Sequence, residues 1–323
     1  MTRKLIGIAL LSTACCLCAD GPSLASGQSS PARILAWRIA VKGTEEVELR
    51  SPVAAAAASD QEFAVADTQG PRLLVFQRSG LSWQLSHSTE LPAVPVDLTH
   101  DGDRYFASLR QSGGLIALEG EELSVRRFEL PAGVFPGPIS AAPSRDLLVY
   151  DYAGERVLRL SSTGEVTDRF PVAGRVAALA ATPNGGFFAA QAMEQTVSRY
   201  SPTGQLEFSF EVPAGVDRPT WLVGLSVEPN GQILAVDRNN GRILVFSAAG
   251  DWIGIGSRRG WEPGLMYYPA SIYRLSDRMV VVADQGYGRA QIFERTDGAP
   301  GRCPVAWGGG GTGSWCRCSS WHQ

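Results

Sequence analysis

Six ten-residue segments of this chain align with one another without a gap. They begin at Asp67, Leu109, Asp151, Gln191, Asp237 and Asp284 and close on Phe76, Leu118, Leu160, Tyr200, Phe246 and Phe293. The intervals between their starts are 42, 42, 40, 46 and 47 residues. A period of this size permits few architectures, because each repeat must be one supersecondary unit that buries its apolar faces against its neighbours. A helical solenoid would need apolar residues every 3.6 positions, and that spacing is absent. The repeats read instead as strands. Residues 63–66, 147–150, 233–236 and 279–283 are β-rich runs ending at the anchor, and alternating strands such as 72–76 and 242–246 follow a four-residue turn. Gly80, Gly164, Gly204 and Gly250 each stand 13 residues past their anchor, where a tight hairpin calls for positive φ. Fourth strands follow at 205–211 and 251–255, and Pro-Asn-Gly turns at 183–185 and 229–231 precede further strands. The prediction is an all-β chain: a six-bladed β-propeller of four-stranded antiparallel blades.

The sixth repeat lacks a fourth strand of its own, since 299–304 reads Ala-Pro-Gly-Arg-Cys-Pro. Residues 34–41 alternate as a strand should. They are expected to pair with 289–294 as the outer strand of blade six, which would close the ring with the N-terminus.

The anchors come with partners. Asp67, Asp151, Asp237 and Asp284 have Arg72, Arg156, Arg242 and Arg289 five residues on, whereas Leu109 and Gln191 have Gly114 and Thr196. Asp and Arg are kept or lost together. Such residues face each other across a four-residue hairpin loop and read as charge-assisted pairs that lock it. Taken as exposed pairs, each contributes only ~0.2–1 kcal/mol, so truncating Arg242 is expected to weaken the fold modestly.

With the anchors in view, Val236-Asp-Arg-Asn-Asn-Gly-Arg-Ile-Leu-Val-Phe246, Val282-Ala-Asp-Gln-Gly-Tyr-Gly-Arg-Ala-Gln-Ile-Phe293 and the linker Gly256-Ser-Arg-Arg-Gly-Trp-Glu-Pro-Gly-Leu-Met-Tyr-Tyr-Pro269 resemble NHL repeats. The likeness spans about residues 53–295 and is strongest in blades one, five and six. Blades two and four depart from it at the Asp and Arg. The Trp-Asp signature of WD repeats is missing. The resemblance implies a propeller from a family made mostly of binding modules, with a minority of lyases.

The flanks set the domain plan. Arg3 and Lys4, an apolar run over 5–18 and small residues at Ser23 and Ala25 form an export signal over residues 1–25. The run is short for a membrane span, and no later stretch is long enough for one. Export to a bacterial periplasm or the exterior is therefore expected. Lipidation at Cys15 is the weaker reading, because Ser12 stands where a lipoprotein signal has Leu. A linker (26–33), the propeller (34–298) and a Gly-, Trp- and Cys-containing tail (299–323), expected to be unstructured, follow. Of six cysteines, three lie in the signal and Cys303, Cys316 and Cys318 in the tail, so the propeller folds without disulfides. Cys316, Cys318 and His322 are a weak metal motif.

Strand order puts the post-anchor turns and the inter-blade linkers at one end of the ring. That end is richer in aromatics, Arg and Asn. Tyr152, Arg218, Trp221, Arg238, Asn239, Trp261, Tyr268 and Tyr287 are its candidate binding residues, and Arg259 and Tyr267 lie among them. The plainer expectation for Leu265, Met266 and Tyr268 is packing between blades five and six. The leading functional expectation is non-catalytic binding of an envelope protein, peptide or glycan. The second is a metal-dependent lactonase or hydrolase with a Ca²⁺-type ion in the channel, for which Asp97 and Asp217 are the candidate ligands. The third is a structural envelope component. A zinc site is disfavoured, because only His87 and His100 lie outside the tail, on an outer strand and beside a turn. No Gly-x-Ser-x-Gly turn, phosphate loop or haem motif occurs. With 29 Lys and Arg against 32 Asp and Glu and a net charge of −3, nothing favours nucleic acid.

Overall fold

The computed structural model describes residues 32–296 apart from Ser112 and Val216. The signal, most of the linker and the tail with its Cys and His lie outside the described residues.

Six antiparallel four-stranded sheets follow one another along the chain. Blade one runs Pro52–Ser59, Glu62–Asp67, Arg72–Ser79 and Ser82–Glu90 from the axis outward. Blades two to five repeat the order, with innermost strands Pro95–His100, Pro136–Ala141, Val176–Ala181 and Leu222–Val227. Blade six takes Pro269–Arg274, Met279–Asp284 and Arg289–Arg295 from the end of the chain and Leu35–Val41 from its beginning. Leu35 pairs with Arg295 and Val41 with Ala290, so the expected N-terminal closure is present. Each innermost strand touches the next, and that of blade six touches that of blade one. Ala32–Arg33, expected as linker, instead pairs in parallel with Gly254 and Ile255 at the outer edge of blade five. Among the described residues no helix is long and apolar enough to cross a membrane.

The strand period of two explains where the core sits. In Ile233–Asp237, Ile233 and Ala235 pack toward blade four while Leu234 and Val236 pack toward blade six. Every blade is buried on both faces this way, and the six apolar clusters occupy the six boundaries between blades. Of the four fixed glycines, Gly80 has positive φ alone as its reason, and the other three have two. Gly164, Gly204 and Gly250 have φ of 96°, 77° and 91°. A Cβ on any of them would also come within 2.7 Å of Phe128, Phe170 or Phe210 on the outer strand of the preceding blade.

The anchor pairs face each other in register, but their environment corrects the sequence reading. The side chains of Asp67, Asp151, Asp237 and Asp284 are buried. Arg Nε donates to Asp Oδ2 at 3.3 Å in Asp151–Arg156, 2.9 Å in Asp237–Arg242 and 2.8 Å in Asp284–Arg289. The other carboxylate oxygen accepts a linker amide: Phe135 on Asp151, Trp221 on Asp237, Tyr267 on Asp284 and Ser51 on Asp67. Arg242 Nη2 reaches the Pro213 carbonyl, and Arg289 Nη2 reaches the carbonyls of Glu262 and Leu265. Each pair therefore pins a whole inter-blade linker to its hairpin. Blade four does the same with neutral groups: Thr196 Oγ1 donates to Gln191 Oε1, and Gln191 Nε2 donates to the Ala173 carbonyl.

Candidate binding face

The pinned linkers define the mouth of the channel at their end of the ring. At three blade boundaries the residue after the anchor meets the residue that leads into the next innermost strand: Tyr152 with Arg175, Arg238 with Tyr268 and Gln285 with Ser51. Arg175 stacks on the Tyr152 ring at 5.1 Å, Arg238 lies 5.5 Å from the Tyr268 ring, and Gln285 Nε2 donates to Ser51 Oγ at 3.0 Å. Arg238 also donates to Gln285 Oε1 at 2.5 Å.

Around blades five and six the mouth widens into an aromatic and cationic cluster. Trp261 stacks on Tyr267 at 3.7 Å, Tyr267 meets Tyr268 edge-on at 4.7 Å, and Trp261 lies 5.9 Å from Tyr287. Arg259 lies 4.4 Å and 4.7 Å from the rings of Tyr267 and Tyr268, and its Nη1 donates to the Asn239 carbonyl at 2.7 Å. Lys42 and Arg289 both approach Tyr287. Arg259 and Arg218 lie near the Tyr268 hydroxyl and hold its pKa below the usual phenol range. Tyr268 has φ of 55°, a left-handed backbone that a bulky residue rarely adopts. It is the extra residue of this linker: Tyr267, not Tyr268, gives its amide to the anchor Asp284. Met266 fills the apolar boundary, while Trp261, Tyr287 and Trp221 stay 53 %, 40 % and 40 % exposed.

The structure thus gathers Arg218, Arg238, Asn239, Trp261, Tyr268 and Tyr287 at one side of the mouth, with Trp221 joined to them through its carbonyl, which accepts the Arg238 amide. Tyr152 stands apart, at the boundary of blades three and four. Its pKa is raised by burial, pulled back by Arg175 and Arg110 and pushed up by Asp97. Lys42, Arg110, Arg175 and Gln285 were not singled out from sequence. Three of them could have been found by position, as post-anchor or lead-in residues; Lys42 arrives only through closure by the N-terminal strand.

The channel opens at the other end, where the sequence looked bland. A cavity of about 550 Å³ is lined by the six innermost strands and rimmed by Ser59, Gly102, Pro143, Pro183 and Pro229. Its walls are strand edges whose amides need acceptors. Ser271 Oγ accepts from Ala55, Thr99 Oγ1 from Ala141 and Ser140 Oγ from Ala181, each across a blade boundary. Tyr273 reaches from blade six past the alanines of blade one to donate to the His100 carbonyl of blade two.

Asp97 faces this cavity from deep within the ring. Its oxygens accept the amides of Leu98 and Ile139, both at 2.9 Å, yet burial raises its pKa to about 7. Asp217 is exposed on a linker, and the structure does not bring it to Asp97. Among the described residues no three His, Cys, Asp or Glu converge as a metal-ligand set. His87 lies on the outer strand of blade one and His100 on the innermost strand of blade two, so they do not meet either.

Six four-stranded blades around a channel define a six-bladed β-propeller. Its sequence matches no protein-family model and no curated protein. Solved structures are similar in fold. A Bacteroides thetaiotaomicron VPI-5482 protein of unknown function aligns with a TM-score of 0.65 and 11 % identity, over 83 % of this chain and 77 % of that one. Virginiamycin B lyase from Staphylococcus aureus aligns with a TM-score of 0.58 and 11 % identity, over 79 % and 98 %. The WD40 propeller domain of Doa1 aligns with a TM-score of 0.58 and 12 % identity, over 81 % and 97 %. Identities this low speak to fold alone.

Proposed function

We propose that this chain is an exported binding propeller of NHL-repeat type that recognises a protein partner of the cell envelope through its linker face at blades five and six. The carrying observation is the Trp261–Tyr267–Tyr268–Tyr287 cluster, exposed at Trp261 and Tyr287 and half-buried between them, bracketed by Arg259, Arg218 and Lys42. Aromatic rings and Arg on a rigid scaffold are the residues that dominate protein interfaces, because they bury large area with little conformational freedom to lose. The left-handed Tyr268 supports the same reading, since backbone strain persists only where packing enforces it and gathers at functional positions. The four Asp–Arg anchors support the NHL kinship, and residues 1–25 support export.

The test is capture from an envelope extract with wild type and a Trp261→Ala/Tyr287→Ala double variant. The expected result is a partner retained by wild type and lost with the double variant, whose melting curve overlays that of wild type. Equal capture by both would remove the cluster from the interface. A parallel melt with chelator is expected to match the untreated curve; a marked fall would direct attention to a metal-dependent hydrolase instead.

A further inference from the structure

We infer that the channel cavity at the turn end of the ring is a binding site for a compact organic ammonium ion, whose charged head pairs with Asp97. The cavity opens at the end opposite the blade-five and blade-six cluster, and the inference stands independently of the reading above. It holds about 550 Å³, a volume within the range of small-molecule sites. Its wall starts at Ala55, Asp97, Ile139, Ala178, Val223 and Ser271 and runs to the turns, so Asp97 stands at the inner end. The strand register shows how unusual an acid is at this level. The residue paired with the one before the anchor is Ala54 in blade one, Ala178 in blade four, Gly224 in blade five and Ser271 in blade six. In blade two it is Asp97, opposite Ser108. Of these five blades, blade two alone carries an ionisable group there.

The fold by itself does not need that charge. Asp97 Oδ2 accepts the Ile139 amide of the next blade at 2.9 Å, and Ser271 Oγ does the same for the Ala55 amide at 3.0 Å with a neutral hydroxyl. Asp97 Oδ1 accepts the Leu98 amide at 2.9 Å. These bonds fix the carboxylate and leave each oxygen a further acceptor site. Asp97 is half-buried and has no ion-pair partner among the described residues. The other charges on the cavity wall are already paired: Asp101 with Arg104 at 3.4 Å and Arg274 with Asp277 at 3.2 Å. Burial lowers the pKa of His100, whose Nδ1 accepts the Gly102 amide at 3.0 Å. The phenols of Tyr273, on the cavity wall, and Tyr152, on blade three, have pKa values raised by burial and stay neutral. One carboxylate falls short of the roughly six to eight oxygens that Ca²⁺ takes. A single fixed negative charge among Ala, Val, Ile and Pro walls suits an ammonium head on a small apolar body.

Titration of the purified protein with 4-fluorobenzylammonium chloride at pH 8, followed by ¹⁹F line broadening, tests this. Wild type should show saturable binding. 4-Fluorobenzyl alcohol, with the same body and no charge, should bind about tenfold more weakly, as loss of a charged hydrogen bond predicts. Affinity for the ammonium probe should fall about tenfold from pH 8 to pH 6, as Asp97, with a pKa of about 7, takes up its proton. Asp97→Asn should lose the binding and its pH dependence. Glu165→Gln, an equal change of charge beside an exposed turn of blade three, should keep both. The alcohol and pH measurements use wild type alone, so they decide the question whatever Asp97→Asn does to folding. No saturable response from wild type, equal binding of ammonium and alcohol, or undiminished binding by Asp97→Asn would overturn the proposal. Displacement of the probe by stoichiometric Ca²⁺ would overturn the assignment to an organic cation.

Discussion

At the scale of single residues, burial decides what a charge does in this protein. The anchor arginines differ in exposure along one repeated geometry: the side chains of Arg289, Arg242 and Arg156 are 3 %, 13 % and 38 % exposed. Truncating each to Ala should give a graded series in urea midpoints. Arg289→Ala and Arg242→Ala should cost ~3–5 kcal/mol, because each leaves a buried carboxylate short of its cation. Arg156→Ala should cost about 1 kcal/mol or less, because water reaches the Asp151 pair. Equal small losses at all three sites would mean that the linker amides alone satisfy the carboxylates. Asp97 makes the opposite case, a half-buried carboxyl on the channel wall with no ion-pair partner among the described residues. Its folded pKa of about 7 stands well above the ordinary aspartate value of 3.8. Between those values the native state binds more protons than the unfolded one, so stability falls as pH rises, and the loss is complete above pH 7. Asp97→Asn, whose one amide oxygen can satisfy only one of the two backbone N–H groups, should therefore gain stability relative to wild type as pH rises from 4 to 8. Urea midpoints at the two pH values would check this, and a constant difference between the proteins would refute it.

At the scale of elements, each hairpin and the linker before it form one unit. Blade four shows that charge is not required for this, since Gln191 and Thr196 occupy the same register and Gln191, at the Asp position, reaches the linker carbonyl itself. The geometry should then accept the charged version. Gln191→Asp and Thr196→Arg should each destabilise alone, while the double variant should recover most of the loss. A double-mutant cycle should give a coupling of about 2 kcal/mol or more. Additive losses would show that blade four has lost the backbone geometry the other anchors share. The innermost strand of blade one illustrates a second element-level rule. Its alanine run reads as a low-information strand, but small side chains there let Tyr273 cross from blade six to blade two. Tyr273→Phe should cost about 1 kcal/mol, the usual net worth of one hydrogen bond.

At the scale of the whole molecule, closure of the ring controls stability. Leu35 and Val41 of the closing strand sit in the cores on either side of blade six, between blades five and six and between six and one. Deleting residues 26–43 should open the ring, lower the melting temperature and expose the edge strand Arg289–Arg295 to self-association. An unchanged melt with no larger species on size-exclusion chromatography would refute the closure argument. The two ends of the channel also divide the chemistry. Strand-edge amides and small side chains line the cavity at the turn end, while rings and guanidinium groups crowd the linker end.

The blades, their number, the hairpin glycines, the Asp–Arg register and the N-terminal closure were all legible in the sequence. Each rests on short-range spacing, and a strand advertises itself through a period of two. Which end carries aromatics and Arg was legible too, because strand order assigns every loop to a face. Burial of the anchor carboxylates was not, since the amides of Trp221 and Tyr267 come from 16 and 17 residues upstream. Nor was the company each side chain keeps. Lys42 reaches Tyr287 from the opposite end of the chain, Arg110 and Arg175 come from different blades, and Asp97 and Asp217 diverge. Pairing within a blade is local and leaves a pattern, whereas contact across a blade boundary depends on the rotation from one blade to the next. That rotation is set when the six apolar boundaries pack and the ring closes, and only the tertiary structure records it.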